Sequence, residues 1–187
     1  RLEMPAVSRT DHGSLAGAID LYKAAHKHGV KPIIGCEVYV ADDRTKQTKG
    51  TAHLTLLAET TAGYGNLIKL CSLGYLEGYY YKPRVDWELL ERHAAGMIAL
   101  SGCLSGRVSR ALSESRDNDA EAELDRLAQI FGPDSTYVEL QNVGLDVQQA
   151  AFLGLPKLAE RRKLPLVATG DVHYLDATDA HSHDALL

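Results

Sequence analysis

The sequence predicts an α/β fold, because apolar runs of strand length alternate with segments of helical spacing along the whole chain. Such alternation calls for a parallel sheet with helices outside it, closed either as an open doubly wound sheet or as a barrel. No glycine-rich phosphate fingerprint follows the first strand, which weighs against the dinucleotide-binding version of the open sheet. Side chains able to bind metal follow several of the strands, where chemistry gathers in a barrel.

The first strand is expected at Met4 to Arg9, followed by the polar turn Thr10-Asp11-His12-Gly13. A helix capped by Ser14 and ending near His28 and Gly29 comes next. Lys31 to Val40 reads as a second strand, apolar but for Glu37, and Asp42 to Gly50 as a polar turn region. His53 to Ala58 is a third strand, and Gly63 to Gly74 places Leu67, Ile68, Leu70 and Cys71 at helical spacing. An aromatic loop, Gly78 to Arg84, leads to a helix over Trp87 to His93 and a strand over Met97 to Leu100 that ends in Ser101-Gly102-Cys103. Helices at Leu104 to Glu114 and Asp119 to Phe131, a strand at Thr136 to Gln141, a helix at Asp146 to Arg162 and a strand at Leu164 to Thr169 complete the run.

At 187 residues the chain suits one domain, with 45% hydrophobic and 24% charged residues as in ordinary globular proteins. No run reaches the roughly 20 apolar residues of a membrane helix and no signal peptide opens the chain, so a cytoplasmic protein without membrane contact is expected. Cys36, Cys71 and Cys103 are scattered, which indicates neither a disulfide framework nor a zinc ribbon. The net charge of −5 gives no global attraction to nucleic acid, so phosphate recognition has to come from a local basic patch or from bound cations. Arg1 opens the chain abruptly, only three residues before an apolar strand, and is read as the start of a piece of a longer protein.

Six polar residues lie at or near strand ends: His12, Glu37, His53, Cys103, Asp171 and His173. Asp171 and His173 are two apart on extended chain and face the same side. Imidazole, carboxylate and thiolate together suit Zn²⁺, Mn²⁺ or Fe²⁺, and a mixed set too large for one tetrahedral ion points to two or three metals. Two metals roughly 3.5–4 Å apart can activate water and neutralise both oxygens of a phosphoester displacement, so the set reads as a hydrolase for phosphate esters. Each residue also has a structural explanation: a histidine after a strand often only hydrogen-bonds, and Cys103 alone would be a small core residue. Glu37 resists that explanation, because a carboxylate within "PIIGCEVYV" is costly to bury unless it is paired or bound to metal.

The segments "TDHGSLAGAIDLYKAAHKHGVKPIIGCEVYV", "HLTLLAETTAGYGNLIKLCSLGYLEGYYYKPRVD", "LSGCLSG" and "VATGDVHYLDATDAHSHDALL" resemble, in that order, the PHP (polymerase and histidinol phosphatase) domains at the N-terminus of bacterial DNA polymerase III alpha subunits. The resemblance covers essentially the whole chain. It implies a distorted seven-stranded β/α barrel, TIM-like, with a multinuclear metal centre at the strand ends. By motif, His12, Glu37, His53, Cys103, Asp171 and His173 would be metal ligands, with Glu37, Asp171 and His173 also catalytic. The family opens with a strand bearing an H-x-H pair and a further ligand soon after, and this chain starts downstream of all three, so the first strand of the barrel is missing from it.

Asp11 is expected to orient a ligand or to cap a helix, and Glu139 to face the barrel mouth or to support the centre from behind. In "GYYYKPR", Tyr80 and Tyr81 with Lys82 and Arg84 suit stacking on bases and pairing with phosphates of a single strand, or else packing against neighbouring polymerase domains. His26, His28 and His93 are expected to pack or face solvent, and His181 and His183 to mark a boundary. The leading expectation is a metal-dependent 3′–5′ exonuclease acting on the 3′ end of a DNA primer, in a chain whose downstream domains polymerise and which meets other replisome subunits. A non-catalytic module that binds metal for stability and docks polymerase partners is the first alternative. A free-standing phosphatase of the histidinol phosphatase branch is the second.

Overall fold

The computed structural model describes residues 3–186 and contains seven strands in one sheet. These are β1 (Ala6–Arg9), β2 (Lys31–Val40), β3 (Ala52–Ala58), β4 (Arg84–Val85), β5 (Met97–Leu100), β6 (Thr136–Gln141) and β7 (Leu166–Thr169). The helices are α1 (Ala18–Lys27), α2 (Thr61–Leu76), α3 (Trp87–His93), α4 (Arg107–Ser113), α5 (Asp117–Phe131), α6 (Gln149–Arg162) and the short α7 (Ala180–Asp184). The strands lie in the order β1-β2-β3-β5-β6-β7, with β4 paired to the end of β2 at Tyr39 and Val40.

The sheet is mixed rather than parallel as expected. β1, β2, β4, β5, β6 and β7 share one direction, whereas β3 is antiparallel to both β2 and β5. No helix separates β2 from β3, so the chain cannot cross over and instead doubles back. This reversal decides the geometry of the site. His53 is the second residue of β3, yet in an antiparallel strand that beginning lies level with the C-terminal end of β2, where Tyr39 pairs with His53.

The sheet curls without closing. Among the described residues β1 pairs with β2 alone and β7 with β6 alone, and a cavity of about 560 Å³ is lined by the ends of both. The molecule is thus a half-barrel with helices on its outer face. Strand alternation separates the two faces. Cys36, Val38, Val40, Leu54, Leu56, Ala99 and Val138 face outward into a core completed by Leu67, Leu70, Leu89, Leu90, Leu124 and Leu158 from the helices. Each such large side chain contributes about 1.5–3 kcal/mol of transfer free energy. The alternate positions Glu37, Thr55, Leu57, Leu100, Glu139, Gln141, Val167 and Thr169 line the cavity.

Local caps fix the helices that stand behind the site. Thr60 accepts a hydrogen bond from the Gly63 amide at the start of α2, and Asp86 accepts one from Leu89 at the start of α3. α1 begins at Ala18, four residues later than the expected Ser14 cap, because Ser14 Oγ instead bonds the nearby Ala16 amide in a local turn. Cys36 and Cys71 face each other across the outer side with sulfurs 3.6 Å apart, away from the cavity. No helix of the described residues is long and apolar enough to cross a membrane.

Two buried arginines hold the loops at the rim. Arg44 joins the 41–51 connection to Asp86 through Nη1, 2.9 Å from both carboxylate oxygens, and also reaches Glu77 and Glu88. Arg84 donates to three main-chain carbonyls, those of Gly78, Thr48 and Arg44. The aromatic loop and the 41–51 loop are thereby tied to each other.

Candidate metal centre

The C-terminal ends of β1 and β2 and the start of β3 bring His12, Glu37 and His53 together, with one ligand atom of each lying within 4.8 Å of the others. The chain delivers them by register. The β1–β2 pairing continues as a bridge between His12 and Glu37, with the Gly13 amide donating to the Glu37 carbonyl at 2.9 Å and the Glu37 amide to the Asp11 carbonyl at 3.1 Å. Glu37 and His53 then lie diagonally across the β2–β3 ladder, pointing to one face.

Glu37 is the focus of the group. Its Oε1 touches His53 Nδ1 and lies 3.4 Å from His12 Nδ1, yet it is buried and accepts no hydrogen bond of proper geometry. Burial pushes this carboxyl up, but the contact with His53 and the charges of His53, His12 and His173 outweigh it and hold Glu37 below the usual carboxylate value. His53 is pushed up to about 9 by Cys103 and Glu37 against the effect of burial. A buried carboxylate oxygen crowded by two imidazole nitrogens without a hydrogen bond of proper geometry is an arrangement that a cation completes, so the residues present fit a metal.

The other expected ligands border this trio. Cys103, on the turn after β5, places its sulfur 3.6 Å from His53 Nδ1. His173 lies across the cavity mouth, its ring centroid 6.2 Å from that of His12. His173 Nδ1 is 2.8 Å from the Asp171 carbonyl oxygen, which can only accept, so Nδ1 is the donor there and Nε2 is the nitrogen left to face a metal. Asp171 adopts a left-handed backbone with φ of 48°, unusual for a residue other than glycine, and lines the same cavity. The six residues therefore share one rim, in a compact trio with Cys103 beside it and an Asp171–His173 arm opposite.

Around the rim, some expectations are corrected and others narrowed. Asp11 caps no helix: its carboxylate accepts a 2.7 Å bond from Arg9, and its carbonyl receives Cys36 Sγ at 3.3 Å. Glu139 is buried in the cavity wall, where Oε1 accepts from Thr169 Oγ1 at 2.7 Å and from Gln141 at 3.1 Å, while Oε2 has no hydrogen-bond partner. Burial pushes its pKa up, against those two bonds, and the nearby charge of Glu37 adds to the rise. Arg84 is spent on carbonyls and is not free to meet a phosphate. Of the two histidines in the tail, His183 does more than mark a boundary, since its ring packs 5.6 Å from that of His173. Tyr39 is the residue that the sequence reading missed: it stacks on His12 at 5.8 Å and meets His53 edge-on at 5.2 Å. Its signal was the alternation in "GCEVYV", which puts Tyr39 on the face of Glu37.

A half-barrel with histidine, carboxylate and thiol side chains at its strand ends defines an α/β domain with a candidate metal site. Residues 1–143 match the family of the PHP domain, and the chain belongs to that family. Among curated relatives it is similar to the DNA polymerase III subunit alpha of Thermus aquaticus, 46% identical over 99% of this chain and 16% of that protein. The corresponding subunit of Treponema pallidum is 43% identical over 100% of this chain and 16% of its own length. That of Deinococcus radiodurans is 44% identical over 99% and 14% respectively. The chain thus spans about a sixth of the length of these relatives. A solved structure of a candidate metal-dependent phosphoesterase from Bifidobacterium adolescentis shares the fold, with a TM-score of 0.53 at 13% identity, over 92% of this chain and 79% of that one.

Proposed function

We propose that the rim binds two or three divalent ions, Zn²⁺, Mn²⁺ or Fe²⁺, on His12, Glu37, His53, Cys103, Asp171 and His173, and hydrolyses the phosphodiester at the 3′ end of a DNA primer. The observation that carries this reading is the buried Glu37 oxygen without a donor between two imidazoles. When bound, such ions supply Lewis-acid activation of water and neutralise charge on the phosphoryl oxygens. Glu37 fixes the centre from within. Asp171 and His173, with side chains 32% and 44% exposed, are the ligands a substrate reaches first. Asp11 and Glu139 support from the wall: Glu139 holds Thr169, two residues before Asp171, and so steadies the end of an edge strand. The similarity to polymerase III alpha subunits supports the reading that this activity belongs to a longer replicative protein, one that carries out DNA-templated DNA synthesis in the cytoplasm, beside polymerase domains of the same chain and other replisome subunits.

A structural metal site is the second reading, favoured by one observation. His12 follows β1 and Asp171 and His173 follow β7, so an ion shared between them clasps the two unpaired edges of the sheet. The test is release of the 3′ nucleotide from a mismatched primer by the full-length protein, as native enzyme, after chelation, and as His173→Ala. Release that needs both metal and His173 supports the nuclease. Release that persists without them refutes it, and a metal-dependent rise in stability without any release supports the clasp.

A further inference from the structure

We infer that a track of aromatic rings and lysines leads from the metal centre across the 78–82 loop to Lys49 and receives a single-stranded nucleic-acid segment. This rests on the phosphodiesterase reading and adds to it the surface along which the strand leading to the cleaved end is held. The track starts at Tyr39, whose ring lies against both His12 and His53. Lys82 Nζ sits over that ring, 4.4 Å from its centroid. Tyr81 follows, 72% exposed, with Lys49 Nζ 5.7 Å from its ring centre. On the same loop, two residues before Tyr81, Tyr79 stacks on Tyr75 at 6.0 Å and 16°, both more than half exposed.

Three features point to a ligand and not to a solvated face. First, neither Lys49 nor Lys82 forms an ion pair with a carboxylate among the described residues, in a chain of net charge −5. An ammonium held beside a cluster that gathers cations is repelled once the cluster is loaded, and an anion spanning both offsets that repulsion. Second, Tyr81 has a φ of 60°, a conformation costing a non-glycine residue on the order of 1–3 kcal/mol, for a ring that stays in solvent. Third, the loop is braced: Arg84 clamps Gly78 to Thr48 and Arg44, and Pro83 closes over Gly13, where an added Cβ would come within 2.6 Å of Pro83 Cγ. Exposed rings on a rigid mount, interleaved with unpaired lysines, are the equipment of single-strand binding, in which bases stack and phosphates meet cations. Tyr80, half-buried between Arg84 and Tyr81, belongs to the mount.

The test uses the full-length protein with metal chelated to prevent cleavage, and oligothymidylate carrying 4-thiothymidine near its 3′ end as the probe. Irradiation is expected to place cross-links on Tyr79, Tyr81 or Lys82, mapped by mass spectrometry. Cross-links confined to other parts of the protein overturn the track and leave the face to a neighbouring protein domain. In the metal-loaded protein, the preference in kcat/KM for an octanucleotide over a dinucleotide is expected to fall about tenfold or more in Tyr81→Ala and in Lys82→Gln. An unchanged preference overturns the track while leaving the phosphodiesterase reading intact. Cross-links on the track without any hydrolysis overturn that reading and leave the track standing.

Discussion

Replacing Arg44 by Ala removes the main tie between the loop that leads into His53 and the start of α3. Its guanidinium is 2.9 Å from both oxygens of Asp86, and the side chains of both residues are about nine-tenths buried. Removing one member of a buried pair costs about 3–5 kcal/mol, because the remaining charge is left uncompensated. The lower end applies, since Asp86 keeps the Leu89 and residue-44 amides, each at 3.2 Å. The contacts to Glu77 and Glu88 add under about 1 kcal/mol, because those carboxylates have side chains 45% and 64% exposed. A loss of about 3 kcal/mol lowers the Tm of a domain this size by about 6–12 °C. Thermal unfolding followed by circular dichroism measures it. The double variant Arg44→Ala/Asp86→Asn should recover part of the loss, because the stranded charge is gone. A Tm drop under about 2 °C, or a double variant worse than the sum of the two single ones, refutes the assignment of this pair as the brace of the rim.

Gly13→Ala is expected to lose about 2–3 kcal/mol of stability and to weaken metal binding. Its φ of +62° and the 2.6 Å approach of Pro83 both oppose a Cβ immediately after His12, and urea unfolding with metal titration checks both effects. Leu56→Ala, at a fully buried position on the outer face, is expected to cost about 2–5 kcal/mol and so bring Cm down, without altering the ligand set. Glu139 supplies a pH test. Its carboxyl is held above the ordinary value of 4.5 by burial, so its contribution to stability is complete below that value and is lost as pH rises through the raised one. In metal-free protein, Glu139→Gln should therefore flatten the decline in stability as pH rises above 4.5. An unchanged pH slope contradicts the assignment of a buried carboxyl there.

Much of the centre was legible in the sequence, because a carboxylate in an apolar strand has few explanations and alternation fixes the face it points to. Glu37 within "PIIGCEVYV" and the two-residue spacing of Asp171 and His173 were such signals. His53 looked misplaced at the start of a strand, and only the reversal of β3 brings it to the common rim. Strand direction is a property of the connection, and the 41–51 loop shows no periodicity from which it could be read. Arg84 departs from the phosphate contact its sequence context suggests for a related reason. An arginine in an aromatic, basic loop has the composition of a phosphate contact, and its burial depends on carbonyls brought in from residues 44 and 48. Tyr39 escaped notice because an aromatic residue in a strand ordinarily means packing.

If Glu37 is the centre of a metal-binding rim, metal content depends on it. Inductively coupled plasma mass spectrometry on the full-length protein, after desalting against metal-free buffer, should find two or more divalent ions per chain in the unsubstituted protein. In Glu37→Ala those ions should be largely lost, with the fold retained by circular dichroism. Equal metal content in the two proteins would show that the ions bind elsewhere and that the buried Glu37 oxygen has another purpose.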